Sequence, residues 1–265
     1  MENLPGDFRR AYNDLAELPK YQHFIRIPDR IIQCIDYFGI SCDQTLAKTR
    51  LHAYYLFIGV VDDAIDSGGI EAGRLILDYL STPAGCAEVS RYSSVKVITE
   101  ILKRHMSNDV YPLMMDKLHE LYQEVISERA AASIDSYIEH RKSVGRLTAE
   151  LSYLLIQPDL SDEHEGLCQF MKQVGAVGCL IDSLIDLSVD FRLGLLGFKP
   201  GVMDYIRLIT YIVRDGLRVS LRHPGLAGPF FRAIGDNLQD RFRAERRSPP
   251  PSLISDRKVE PASVA

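Results

Sequence analysis

Carboxylates recur every fourth residue along an otherwise apolar run, and this pattern constrains the chain more than any other feature. From Glu165 to Asp190 nearly every position is apolar or small, with Asp182, Asp186 and Asp190 as the recurring exceptions. At 100° per residue, positions four apart drift by only about 40°, so the three acids line one side of a helix over roughly 12 Å. Burying unpaired carboxylates is costly, and like charges at i,i+4 repel, so basic side chains or divalent cations must stand opposite them. Gly175 and Gly178 precede the acids on the same side, where small residues are expected to leave a hollow.

A second acidic cluster answers the first. Thr45 to Asp66 reads as another apolar helix, capped from Ser41 to Gln44, that turns acidic only at its C-terminal end, in Asp62, Asp63 and Asp66. Tyr55 and Gly59 lie on the same side as Asp62 and Asp66. Carboxylates at a helix C-terminus face the negative end of the dipole, a placement that a cation repairs. Both clusters offer only oxygen ligands, which suits Mg²⁺ rather than zinc. Mg²⁺ held by one or two carboxylates completes its octahedron with water and phosphate oxygens, so the expected ligand is a phosphorylated small molecule.

The remaining chemistry narrows the class. The 265 residues carry a net charge of −5, which argues against a nucleic-acid partner. No apolar run reaches the length of a membrane span, and Met1 to Asp7 lacks the features of a signal peptide, so a cytoplasmic protein with no integral membrane segment is expected. Five irregularly spaced cysteines, Cys34, Cys42, Cys86, Cys168 and Cys179, read as buried thiols, neither a disulfide framework nor a zinc site.

Helical periodicity runs through the whole chain, with no strand-like alternation, repeat or linker. Further helices are expected from Asp29 to Phe38 (Pro28 at the entrance), Glu71 to Leu80, Ser90 to His105, Leu113 to Ala132, Ile134 to Ile156, Val202 to Arg222 and Pro229 to Arg246. On the Ile134 helix, Tyr137, Arg141, Lys142 and Gly145 form a basic and small side, and a fixed guanidinium at Arg141 suits bidentate binding of a phosphate. Phe191 to Gly201 is a glycine-rich loop suited to folding over a site. One domain is expected over 1–247, followed by a disordered, Pro-rich tail over 248–265.

Asp62-Asp63-Ala64-Ile65-Asp66, a DDxxD motif, resembles the first acidic motif of the isoprenoid-synthase superfamily, and specifically of its squalene/phytoene synthase branch, which also places a tyrosine where Tyr55 stands. Asp186, Asp190 and Phe191 are similar to the branch's second motif, Phe198-Lys199-Pro200 stands in place of its Tyr-Leu-Pro, and Phe231 to Ile234 resembles its C-terminal helix. The likeness covers roughly Leu51 to Arg243. It implies an all-α, single-domain orthogonal helical bundle around a central cavity, in which three Mg²⁺ ions on Asp62, Asp63, Asp66, Asp182, Asp186 and Asp190 grip a prenyl diphosphate. Substrate contacts are then expected at Tyr55, Gly59, Arg141, Lys142, Phe170, Gly178 and Arg192, with Tyr54, Phe57 and Tyr153 as further candidate walls. Asp62, Asp66, Asp186 and Arg141 would carry the catalysis.

The departures from that branch also inform. Where the head-to-head condensing enzymes carry asparagine, arginine and glutamate in the second motif, this chain has Asp182, Ile185 and Val189. Gly59 replaces an arginine before the first motif. Tyr137 to Gly145 instead looks like the segment of class I terpene cyclases that carries a diphosphate-sensing arginine, here Arg141. A terpene synthase acting on farnesyl or geranylgeranyl diphosphate is therefore the leading expectation. A head-to-head prenyl transferase is the alternative, and a non-catalytic helical assembly protein that kept the fold is a third. A homodimer stays open.

Overall fold

The computed structural model describes residues 6–81, 93–106, 109–161, 164–232 and 235. Among them every regular element is helical. α1 (Gly6–Ala16) leads through a short 3-10 turn into α2 (Gln22–Tyr37), followed by α3 (Gln44–Gly68), α4 (Ile70–Ser81), α5 (Ser93–His105), α6 (Tyr111–Arg129), α7 (Ile134–Ile156), α8 (Glu165–Arg192) and α9 (Val202–Arg222). A further helical stretch spans 224–232. Cys86, the continuation to Arg246 and the tail over 248–265 lie outside the described residues.

Local chemistry sets the ends of the helices that matter for function. Asp43 caps α3, its carboxylate accepting from the Leu46 N–H at 3.0 Å, and Gly69 at φ +77° ends it in a conformation that side chains disfavour. Ser133 caps α7 by accepting from the Ser136 N–H, and Asp204 receives the Gly201 N–H at 2.7 Å where α9 begins. Gly194 at φ +72° follows α8. Two prolines depart from expectation. Pro28 is buried inside α2 rather than at its entrance, and Pro229 falls within the 224–232 stretch instead of opening it.

α3 is the spine of the main core. Leu51, Ala53, Tyr54 and Leu56 are completely buried and pack with residues of α2, α5 and α7. The Tyr54 hydroxyl donates to the Thr148 carbonyl at 3.1 Å. The Tyr55 hydroxyl is bonded to Ser152 Oγ at 2.9 Å, and Ser152 donates in turn to the same carbonyl. These bonds satisfy polar groups that would otherwise be buried without partners, and they fix α3 against α7. A second apolar cluster, including Ile134, Tyr137, Leu180, Leu187 and Leu208, joins α7, α8 and α9.

α7 and α8 approach each other closely at a pair of glycines. A Cβ on Gly145 would overlap the Gly175 carbonyl, and one on Gly175 would overlap the Gly145 carbonyl. Gly175 therefore opens no hollow; it admits a neighbouring backbone. Gly59 behaves likewise, since a Cβ there would stand 2.6 Å from the Phe24 ring. Of Gly59, Gly175 and Gly178, the last faces open space, with nothing within 4 Å of a Cβ. Gly145→Ala and Gly175→Ala should each lower stability in urea unfolding by roughly 1–3 kcal/mol, because helix backbones must separate. Gly178→Ala should raise it by about 0.5–1 kcal/mol, through helix propensity alone.

Candidate functional site

The register of α7 on α8 builds the site. The helices run antiparallel from the Gly145/Gly175 crossing, so one turn out Arg141 meets Cys179, and a further turn out Tyr137 meets Ser183. Arg141 Nε donates to Ser183 Oγ at 3.1 Å and to the Cys179 carbonyl at 3.3 Å. The Tyr137 hydroxyl donates to Ser183 Oγ at 2.9 Å, and Ser183 donates to the Cys179 carbonyl at 2.9 Å. Arg141 Nη1 reaches the Glu128 carboxylate on α6 at 3.3 and 3.4 Å. The guanidinium on α7 is thus held by partners on two other helices, α6 and α8. Burial opposes its charge, but Glu128 and Asp182 around it more than compensate and raise its pKa further.

The C-terminal end of α6 links this centre to α3. Arg129, next to Glu128, bonds Asp66 at 2.5 Å. Asp62 lies close enough to Asp66, Arg141, Glu128 and Arg129 for each to act on its titration, and Asp190 on α8 is acted on by Asp186, Arg141 and Asp66. The acids of α3 and α8 therefore confront each other, with Arg141 and Arg129 among them.

The electrostatics of that confrontation are unfavourable for the protein alone. The Asp62 carboxyl is pushed up to about 7, first by desolvation and then by Asp66, with Arg141 opposing. Asp190 is pushed up to about 6, by desolvation and by Asp186. Asp66 is raised by desolvation against the pull of Arg129. Asp62 is nevertheless open to solvent. The Asp62 carboxyl is thus crowded by protein yet reachable by water, and positive charge brought from solution would relieve the repulsion.

Not every expected residue joins this cluster. Asp63 points to the other side of α3, bonded to Lys20 Nζ at 2.6 Å and to the Tyr21 hydroxyl at 3.2 Å. Lys142 turns away from Arg141 and is buried against α9, 3.2 Å from Asp215 and over the Tyr211 ring. Phe170 packs with Phe38 and His223 in a separate cluster between α2, α8 and the end of α9. Arg192 is exposed and bonds back to the Ser188 carbonyl of its own helix. Gly59 packs on Phe24, and Tyr54, Tyr55, Phe57 and Tyr153 are core residues. The loop after α8 rests on the α6–α7 turn, where Gly197 meets the Ala131 carbonyl and Phe198 meets the Tyr137 ring at 6.0 Å.

Three contributors escaped the sequence reading: Glu128, Arg129 and Ser183. Glu128 had a signal. It continues the line Met114, Leu118, Leu121 and Val125, so a carboxylate stands where the helical period calls for an apolar residue. Cys34, Cys42, Cys168 and Cys179 are free thiols, and burial pushes Cys179 up to about 12, which leaves it unreactive beside Arg141. A separate open groove of about 490 Å³, lined by Val110, Leu113, Leu154 and Leu160 among others, lies some 20 Å along α7 from Arg141.

Among the described residues no three acidic, histidine or cysteine side chains are gathered as a ready-made metal cage. Mg²⁺ does not require one, since one or two carboxylates with phosphate and water complete its shell. No known protein family, curated protein or solved structure matches this chain.

The pKa directions set a sign for stability. Asp62 binds its proton more tightly folded, near 7, than unfolded, near 4, so without metal the protein should lose stability as pH rises between about 4 and 7. Asp62→Asn should flatten that dependence in thermal melts and melt higher than the wild type at pH 8. Equal melting points and an unchanged slope would show that this carboxyl is not enclosed.

Proposed function

We propose that the chain is a Mg²⁺-dependent class I terpene synthase, an isoprenoid-synthase-like helical bundle around a cavity. It would ionise a prenyl diphosphate, farnesyl or geranylgeranyl, and cyclise the resulting cation. The observation that supports this reading is that Asp62 on α3 and Asp190 on α8 are both acted on by one fixed Arg141, with Asp66 acting on each of them. The diphosphate belongs at that acidic end, and the isoprenoid chain along the open side of α8 at Gly178. Asp62, Asp66, Asp186 and Asp190 are the residues that would hold Mg²⁺, which supplies the positive charge that stabilises the departing diphosphate.

The protein's own groups account for the rest. With Nε and Nη1 engaged by Ser183 and Glu128, Arg141 presents its Nη2 donors in one orientation, set before substrate arrives. The allylic C–O bond breaks with its electron pair leaving on the diphosphate, and the cation's own double bonds act as nucleophiles until a proton is lost or water adds. Lys142 is committed to Asp215, which leaves Arg141 as the diphosphate anchor on α7. One anchor suits one diphosphate, favouring cyclisation over head-to-head condensation.

Incubation of the full chain with geranyl, farnesyl and geranylgeranyl diphosphates and Mg²⁺ should release pyrophosphate and give a terpene hydrocarbon or alcohol by gas chromatography. Asp62→Ala and Asp186→Ala should lower turnover by about 100-fold or more. Lys142→Ala should lower stability but leave kcat near wild type. A C30 or C40 product would assign condensation instead, and no pyrophosphate release from any substrate would defeat the enzymatic reading.

A further inference from the structure

α9 is amphipathic in an unusual sense, because it carries two apolar faces. Leu208 and Val219, with Tyr205 and Ile212 beside them, face the core. A second stripe, Val202, Ile206, Ile209, Val213, Leu217 and Leu221, is between 45% and 81% exposed. At 1.5 Å per residue it runs about 28 Å along the surface. An apolar strip of this length, rimmed by polar groups, marks an interaction surface.

Charge decides what covers it. At 100° per residue, Arg207, Arg214 and Arg218 fall within about 40° of one another along one flank of the stripe. All three are half-exposed or more. Arg207 meets Asp135, Arg214 and Arg218 share Asp215 with Lys142, and Glu139 stands 3.7 Å from Lys142, so four cations face three carboxylates and the flank keeps a positive excess. This occurs in a chain whose net charge is −5. An antiparallel second copy is a poor occupant. An antiparallel two-fold pairing through the stripe would lay both arginine rows along the same edge, where they repel.

We propose that this face of α9 docks on an anionic lipid surface, with the stripe entering the headgroup and acyl boundary and the arginine row meeting lipid phosphates. That is the composition of a helix that lies in an interface. No described helix is long and apolar enough to cross a membrane, so the contact is peripheral. The proposal does not depend on the terpene synthase reading.

Flotation of the full chain with vesicles tests it, using phosphatidylcholine alone or with about a third phosphatidylglycerol. Binding is expected to the anionic vesicles, weakened by at least tenfold by 0.5 M NaCl, by Val213→Glu and by the double change Arg207→Gln with Arg218→Gln. Val213 is exposed, so circular dichroism should show that variant folded. Failure to float with either vesicle, or flotation unaltered by Val213→Glu, would overturn the proposal. So would an analytical ultracentrifugation dimer that Val213→Glu dissociates while vesicle binding is absent, since the stripe would then be a self-interface.

Discussion

The contact on which the site depends is made of bare backbone. Gly145 and Gly175 let α7 and α8 approach until carbonyls nearly touch a neighbouring Cα, and every polar tie between these helices is counted outward from that point. Arg141 reaches the Cys179 carbonyl one turn away, and Tyr137 reaches Ser183 one turn beyond. A wider crossing would lengthen each of these bonds together, because short polar side chains such as Ser183 cannot follow a retreating helix. The precision of Arg141 is thus a property of two residues that have no side chains.

What the crossing assembles is costly to the unliganded fold. Asp62 and Asp190 are held where their charged forms are disfavoured, and Arg141 and Arg129 offset only part of the cost. Proteins accept such a cost where a ligand will remove it, and carboxyls perturbed by desolvation together with specific charge partners are candidates for a functional site. The tie between Glu128 and Arg141 has the opposite character: it is a satisfied ion pair that holds a cation still among acids. The two together describe a site that is rigid in its basic component and under electrostatic tension in its acidic one.

Much of this was legible in the sequence, because period and punctuation are local. The bounds of α7 and α9, the cap of α3 and the acidic line on α8 follow from spacing and end residues alone. The direction of side chains was less legible. Arg141 and Lys142 are neighbours in sequence, and 100° of rotation sends one to the acids and the other to Asp215 on α9, a helix whose position the sequence does not announce. Glycine was misread for a related reason. A helix interior glycine serves equally to admit a backbone, as at Gly145 and Gly175, to admit a ring, as at Gly59, or to border space, as at Gly178, and only the neighbour distinguishes them. Phe170, an aromatic at helical spacing, went to a core cluster for want of any local mark. Pro28 stands inside α2, where local propensity alone would begin a helix.

The pairing of Gly145 with Gly175 also limits how this sequence can vary. In most core contacts a gain in volume on one side is balanced by a loss on the other, so two substitutions tolerate each other where neither is tolerated alone. Opposite a glycine no such balance exists, since no residue is smaller. The crossing is a place where second-site rescue has nowhere to come from, and the chain's freedom to drift lies in its outward faces instead.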